Sequence, residues 1–136
     1  MRQRPWLNHN QSGLAETRSL MKSLKSHKQF ELVWRAMRGP ELVAEYKFHP
    51  TRKWRVDYWH NSGVAIEVEG SVWTRGRHTR GSGFLADMEK YNALAERGVL
   101  LFRVPAHEIT LKWLAPIYDC INRGGSMAYL KLLKKV

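Results

Sequence analysis

Cysteine is almost missing from this chain: Cys120 is the single one in 136 residues. An internal disulfide and a cysteine-based zinc site are thereby excluded, and a reducing cytoplasm is compatible with that usage. No apolar run approaches the ~18 residues of a membrane span, so no membrane partner is expected. The opening Met1-Arg2-Gln3-Arg4-Pro5-Trp6 lacks the apolar stretch of a secretory signal. Acidic residues are scarce as well. Asp plus Glu number 12 against 23 Lys plus Arg, which leaves a formal net charge of +11.

Apolar residues are not scarce. They make up 43% of the chain and include six Trp, which excludes a disordered basic tail. The length suits a single domain, 1–136, able to bury roughly two-thirds of the surface of the unfolded chain. A folded chain this basic points to a polyanion, with nucleic acid the default partner. Within the domain, residues 1–27 read as a basic arm and helix extension, 28–123 as the core and 124–136 as a basic tail.

Phe30, Val33, Trp34 and Met37 recur at helical spacing, which predicts a helix from Lys28 to Arg38 ended by Gly39-Pro40. Three strands are expected next, Leu42 to Phe48, Lys53 to Trp59 and Gly63 to Trp73. The first turn is His49-Pro50-Thr51-Arg52 and the second His60-Asn61-Ser62-Gly63. Short loops make these an antiparallel meander. Gly70 to Gly83 carries four glycines with Arg75, Arg77 and Arg80, and reads as a basic loop. Phe84 to Arg97 is helical, with Gly98 as its stop. Val99 to Val104 (VLLFRV) reads as a strand covered on both faces. Ile109 to Arg123 is an amphipathic helix disturbed by Pro116, and the basic segment from Ser126 to Val136 is compatible with a further helix. The fold class is α/β in the α+β sense, with helices flanking a mixed sheet.

Glu67 and Glu69 alternate on one strand and share a face, about 7 Å apart at a ~3.4 Å rise. Val64, Ile66 and Val68 then face the core. A three-residue loop Asn61 to Gly63 pairs His60 with Val64, which puts Asp57 opposite Glu67. A loop of Pro50 to Arg52 puts Glu45 opposite Asp57. Glu45, Asp57 and Glu67 would thus form a row across three strands, with Glu69 beside them. Two readings fit such a row. The acids are solvent-facing and paired with Arg52, Lys53 or Arg55, or they hold a hard divalent cation such as Mg²⁺, which takes oxygen ligands. The basic glycine loop that follows Glu69 favours the second, since a phosphate backbone would be handled there.

Asp57, a turn and Glu67-Val68-Glu69 on the next strand resemble the PD-(D/E)xK nuclease superfamily, whose core order αβββαβ the expected elements match. The stretch EYKFHPTRKWRVDYW … AIEVEGSVWTRGRHTRGSGF … DMEKYN … GVLLFRV is similar to phage-encoded nucleases of the archaeal Holliday junction resolvase type. It spans Glu45 to Val104, the central part of the chain.

The resemblance implies a restriction-endonuclease-like core and a Mg²⁺-dependent endodeoxyribonuclease, with Mn²⁺ able to substitute and no organic cofactor. It implies that Asp57, Glu67 and the main-chain carbonyl of Val68 ligate the metal, and that Glu45 matches an extra upstream acid. Glu69 stands where most members have lysine, and is either a base or a further ligand. Lys90 either supplies the missing cation or lies on a solvated helix face. The implied substrate is a four-way DNA junction cut by a homodimer in the host cytoplasm. A restriction- or repair-type enzyme on duplex DNA and a non-catalytic nucleic-acid-binding module are the alternatives.

Arg75, Arg77, His78 and Arg80 are the leading DNA-contact candidates, joined by Arg52 and Lys53, because guanidinium forks suit phosphate. His78 is read first as a phosphate donor, and otherwise as a metal ligand or general acid. Trp34, Trp54 and Trp113 fit apolar stripes; Trp59 and Trp73 either stack on a base or, the first reading, serve the fold alone.

Overall fold

The computed structural model describes residues 24–70 and 81–135. Over these the chain runs α1 (Ser26–Ala36), β1 (Val43–Lys47), β2 (Arg55–His60), β3 (Val64–Glu69), α2 (Ser82–Glu96), β4 (Leu100–Pro105), α3 (Leu111–Asn122) and α4 (Met127–Leu133). The sheet order is β1-β2-β3-β4. The first three strands are antiparallel, and β3 and β4 are parallel with α2 between them in sequence. This is the expected mixed sheet flanked by helices.

The two faces of the sheet have separate cores. Phe30 and Trp34 of α1 and Leu114, Ile117 and Ile121 of α3 cover Tyr58, Val64, Ile66 and Val68. Leu94 of α2 packs on the other face against Val56, Trp59 and Ala65, with Tyr129 of α4 at its margin. Each fully buried aliphatic side chain such as Ile66 contributes about 1.5–3 kcal/mol.

The strand register is the expected one. His60 pairs with Val64 and Tyr58 with Ile66. Ala44 pairs with Tyr58 and Tyr46 with Val56, so Glu45 and Asp57 fall opposite each other. Gly63 takes φ +83° in the hairpin, and a Cβ there would meet the Tyr129 ring at 2.5 Å. The β1–β2 connection is longer than expected. It is tied by the His49 ring, whose Nδ1 accepts from the backbone N–H of Thr51 (3.2 Å) and Arg52 (2.9 Å).

Three expectations change, and the helix allowed for the basic C-terminal segment is present. The strand expected over Gly63 to Trp73 ends at Glu69 within the described residues, and Trp73 lies outside them. VLLFRV is covered on both faces only in part: Phe102 and Val104 join one core and Val99 and Leu101 the other, but β4 is an edge strand, Leu100 is 42% exposed, and β3 is the buried central strand. An apolar run serves an edge strand as well when helices cross both of its faces only in part. The α3 helix runs through Pro116 without a break; the proline removes one backbone rung, but five buried side chains hold the helix to the sheet. The basic C-terminal segment forms α4, capped by Ser126, whose side chain accepts from the Tyr129 N–H. No helix of the described residues is long and apolar enough to cross a membrane.

Candidate active site

The acidic row lies where the alternation of side chains between the two faces of the sheet is broken. Tyr58 belongs to the first core and Val56 to the second, although both are even-numbered residues of one strand. On β1, Ala44 lines a groove with Phe30 and Tyr58, while Tyr46 stacks on Trp59 at 4.8 Å on the opposite face. The turnover happens at Glu45, which adopts φ +51°. A non-glycine residue in that region is strained by roughly 1–3 kcal/mol, and such strain gathers at functional sites.

The β2–β3 ladder opens at the same level. Its last pair is Tyr58 with Ile66. Beyond it the Val68 N–H donates to the Asp57 carboxylate, Oδ2, at 2.7 Å. A side chain thus replaces a main-chain rung and is held in place by it.

A fourth residue joins from α1. His27 Nε2 lies 3.4 Å from Asp57 Oδ1. One donor atom each from His27, Glu45 and Asp57 can be chosen so that all lie within 4.8 Å of one another. Tyr58 fixes this arrangement. Its single hydroxyl proton is shared between the His27 carbonyl at 3.2 Å and Glu31 Oε1 at 3.0 Å, tying the N-terminal half of α1 to the strand that carries Asp57.

Glu67 lies between Asp57 and α2. It is 8% exposed, and Lys90 of α2 donates to its Oε1. Burial pushes its carboxyl up to about 7; the Lys90 ammonium opposes the rise and the neighbouring Asp57 carboxylate adds to it. Glu69 is clamped by Arg103 of β4, with Nε donating to Oε1 at 2.5 Å and a terminal nitrogen to Oε2 at 2.7 Å. The Tyr91 hydroxyl also donates to Glu69, at 3.3 Å, and the Arg103 guanidinium lies 5.2 Å from the Tyr91 ring centre. A bidentate fork of this kind is a strong pair.

The structure therefore brings together Glu45, Asp57, Glu67 and Lys90, with Glu69 beside them in its own ion pair. Val68 enters through its amide. Arg52 pairs with Glu89 at 3.2 Å and lies over Trp54 at 4.1 Å, and Lys53 is exposed in the same connection. Arg75, Arg77, His78 and Arg80 lie outside the described residues. Sequence reasoning misses two contributors. Arg103 has a signal, as the lone charge in an apolar run. His27 has none, since it falls one residue before the predicted helix.

No protein-family profile and no curated protein sequence matches the chain. Among solved structures, the catalytic domain of the homing endonuclease I-Bth0305I superposes with a TM-score of 0.50 and 18% sequence identity. The match covers 74% of this chain and 93% of that domain. The likeness is one of fold.

Proposed function

We propose that this chain is a divalent-metal-dependent DNA endonuclease that cuts four-way junctions as a homodimer. The observation that carries the nuclease reading is the meeting of Glu45 and Asp57, whose donor oxygens come within 4.8 Å of each other where the sheet opens, with Glu67 against Asp57 and Lys90 set against Glu67. The residues fit a hard cation. Two oxygens on opposite sides of one Mg²⁺ or Ca²⁺ stand about 4–5 Å apart, and the donor atoms of His27, Glu45 and Asp57 lie within 4.8 Å of one another. Asp57 and Glu45 would hold the metal, with Glu67 and the Val68 carbonyl completing its protein ligands, and Mg²⁺ or Mn²⁺ would serve. When bound, the cation supplies Lewis-acid polarisation of the scissile phosphate and a lowered pKa for water beside it.

The chain's own groups do the rest. The Val68 amide holds Asp57 in its orientation. Lys90 comes from α2 to the side of Glu67 and takes the place of the lysine for which Glu69 is substituted. Arg103 binds both oxygens of Glu69, which fixes that acid beside the reacting group. Water adds to phosphorus, the bond to the 3′ oxygen breaks, and the products are a 5′-phosphate and a 3′-hydroxyl. Arg75, Arg77, His78 and Arg80, with Arg52 and Lys53, would grip the backbone around the cut. Two symmetric cuts need two sites, hence the dimer.

Cleavage of duplex DNA is the second reading, favoured by the fold shared with a homing endonuclease catalytic domain. One assay separates the two. The chain is incubated with a four-way junction and with linear duplex of the same arm sequence, with Mg²⁺ and with chelator. Paired cuts in the junction alone support resolution. Cuts in both substrates alike support the duplex enzyme. Binding without cutting under every condition supports a non-catalytic module.

A further inference from the structure

We propose that His27 is a direct metal ligand, and that it biases the site toward first-row transition ions such as Mn²⁺ over Mg²⁺. This rests on the reading of Glu45 and Asp57 as a metal site and adds a nitrogen donor to it.

The geometry comes from three contacts. His27 Nε2 is 3.4 Å from Asp57 Oδ1, longer than the 2.7–3.2 Å of an N–H···O bond. The imidazole therefore stands beside the carboxylate with a gap between them, and Glu45 closes the third corner within 4.8 Å. The ring is placed by the Tyr58 hydroxyl on the His27 carbonyl, at 3.2 Å. Tyr58 follows Asp57 in the chain, so one short segment of β2 positions both donors.

The electrostatics agree. Lys90 is committed to Glu67 and Arg103 to Glu69. Glu45 and Asp57 instead face an imidazole, which in its neutral form offers a lone pair. The donor set then holds one nitrogen beside its carboxylate and carbonyl oxygens. Imidazole is a better donor to first-row transition ions than to Mg²⁺, which takes oxygen and resists giving up its waters; Mn²⁺ is the weakest of that row and the one that also accepts a carboxylate-rich site.

The test uses Mn²⁺ and the full chain. Electron spin-echo spectra of the bound Mn²⁺ read nitrogen coordination directly, and calorimetry reads the affinities for Mn²⁺ and Mg²⁺. Nitrogen modulation is expected in the unaltered protein and should vanish in His27→Asp, where Mn²⁺ still binds. The preference for Mn²⁺ over Mg²⁺ should narrow in that variant by about tenfold or more, because losing even an outer partner of a metal ligand costs about 10–100-fold in affinity. His27 is 45% exposed in its side chain, and circular dichroism checks that the variant folds; the spectrum of the unaltered protein decides the matter without it. Mn²⁺ binding that is lost in Asp57→Asn but shows no nitrogen modulation in the unaltered protein would overturn the role of His27 and leave the nuclease reading in place. Modulation that persists in His27→Asp would overturn that role in the same way. Absence of any Asp57-dependent Mn²⁺ binding would overturn both.

Discussion

The Val68 N–H donates to Asp57 Oδ2 at 2.7 Å, across strands whose main-chain pairing has already ended at Tyr58 and Ile66. One carboxylate thus does two things. It closes the gap in the ladder with one oxygen, and its other oxygen stands toward His27. The acidic site and the break in the sheet are a single feature of the fold.

Strain at Glu45 should be separable from its function. Glycine accepts the φ of +51° found there, whereas a side chain costs about 1–2 kcal/mol in the left-handed region. Glycine also gives up about 0.5–1 kcal/mol through the entropy of the unfolded chain. Glu45→Gly should therefore be as stable as the parent or up to about 1.5 kcal/mol more stable, and should cut DNA more slowly. Denaturant titration and a cleavage assay read the two effects. A Gly variant that is clearly less stable than Glu45→Ala would remove the strain argument.

Glu67 should impose a pH dependence on stability in chelated buffer. Its carboxyl is raised from the ordinary 4.5 to about 7, first by burial. A raised carboxyl favours the folded state while protonated. Its contribution is fully present below about 4.5 and is lost as pH rises through about 7. Glu67→Gln cannot ionise and should show a flatter stability curve across that window. Equal slopes in the two proteins would show that the buried acid is not held this way.

Much of this site is legible in the sequence, and the parts that are not share a cause. The turns at His49-Pro50 and Ser62-Gly63 set the register that aligns Glu45 with Asp57 and His60 with Val64. Alternation places Val64, Ile66 and Val68 in one core. Lys90 is visible as a cation on the helix after the motif. The reversal at Glu45 is not visible, because strict alternation assumes extended backbone at every residue and nothing in Ala44-Glu45-Tyr46 announces a positive φ. His27 is hidden because its role depends on where α1 crosses the sheet, which no periodicity records. An edge strand and a central one read alike in VLLFRV; only the charge of Arg103 hints at the open side.

The basic segment that holds Arg75, Arg77 and Arg80 is expected to carry the salt sensitivity of DNA binding. Changing Arg75, Arg77 and Arg80 together to Ala should lower the slope of log affinity against log salt by up to about 3, close to one for each phosphate no longer neutralised. Fluorescence anisotropy across a salt series measures it. A slope equal to that of the parent would place the DNA elsewhere.

The central claim is that Asp57 and Glu67 form a metal-dependent cutting site on a DNA-binding fold. It is tested most directly by measuring cleavage and binding of the same DNA, side by side, for the parent, Asp57→Ala and Glu67→Ala, with Mg²⁺ and with EDTA. The account predicts cutting by the parent with Mg²⁺ alone, loss of cutting in both variants and in EDTA, and DNA affinity retained throughout. Cleavage that survives in either variant, or in EDTA, would contradict it.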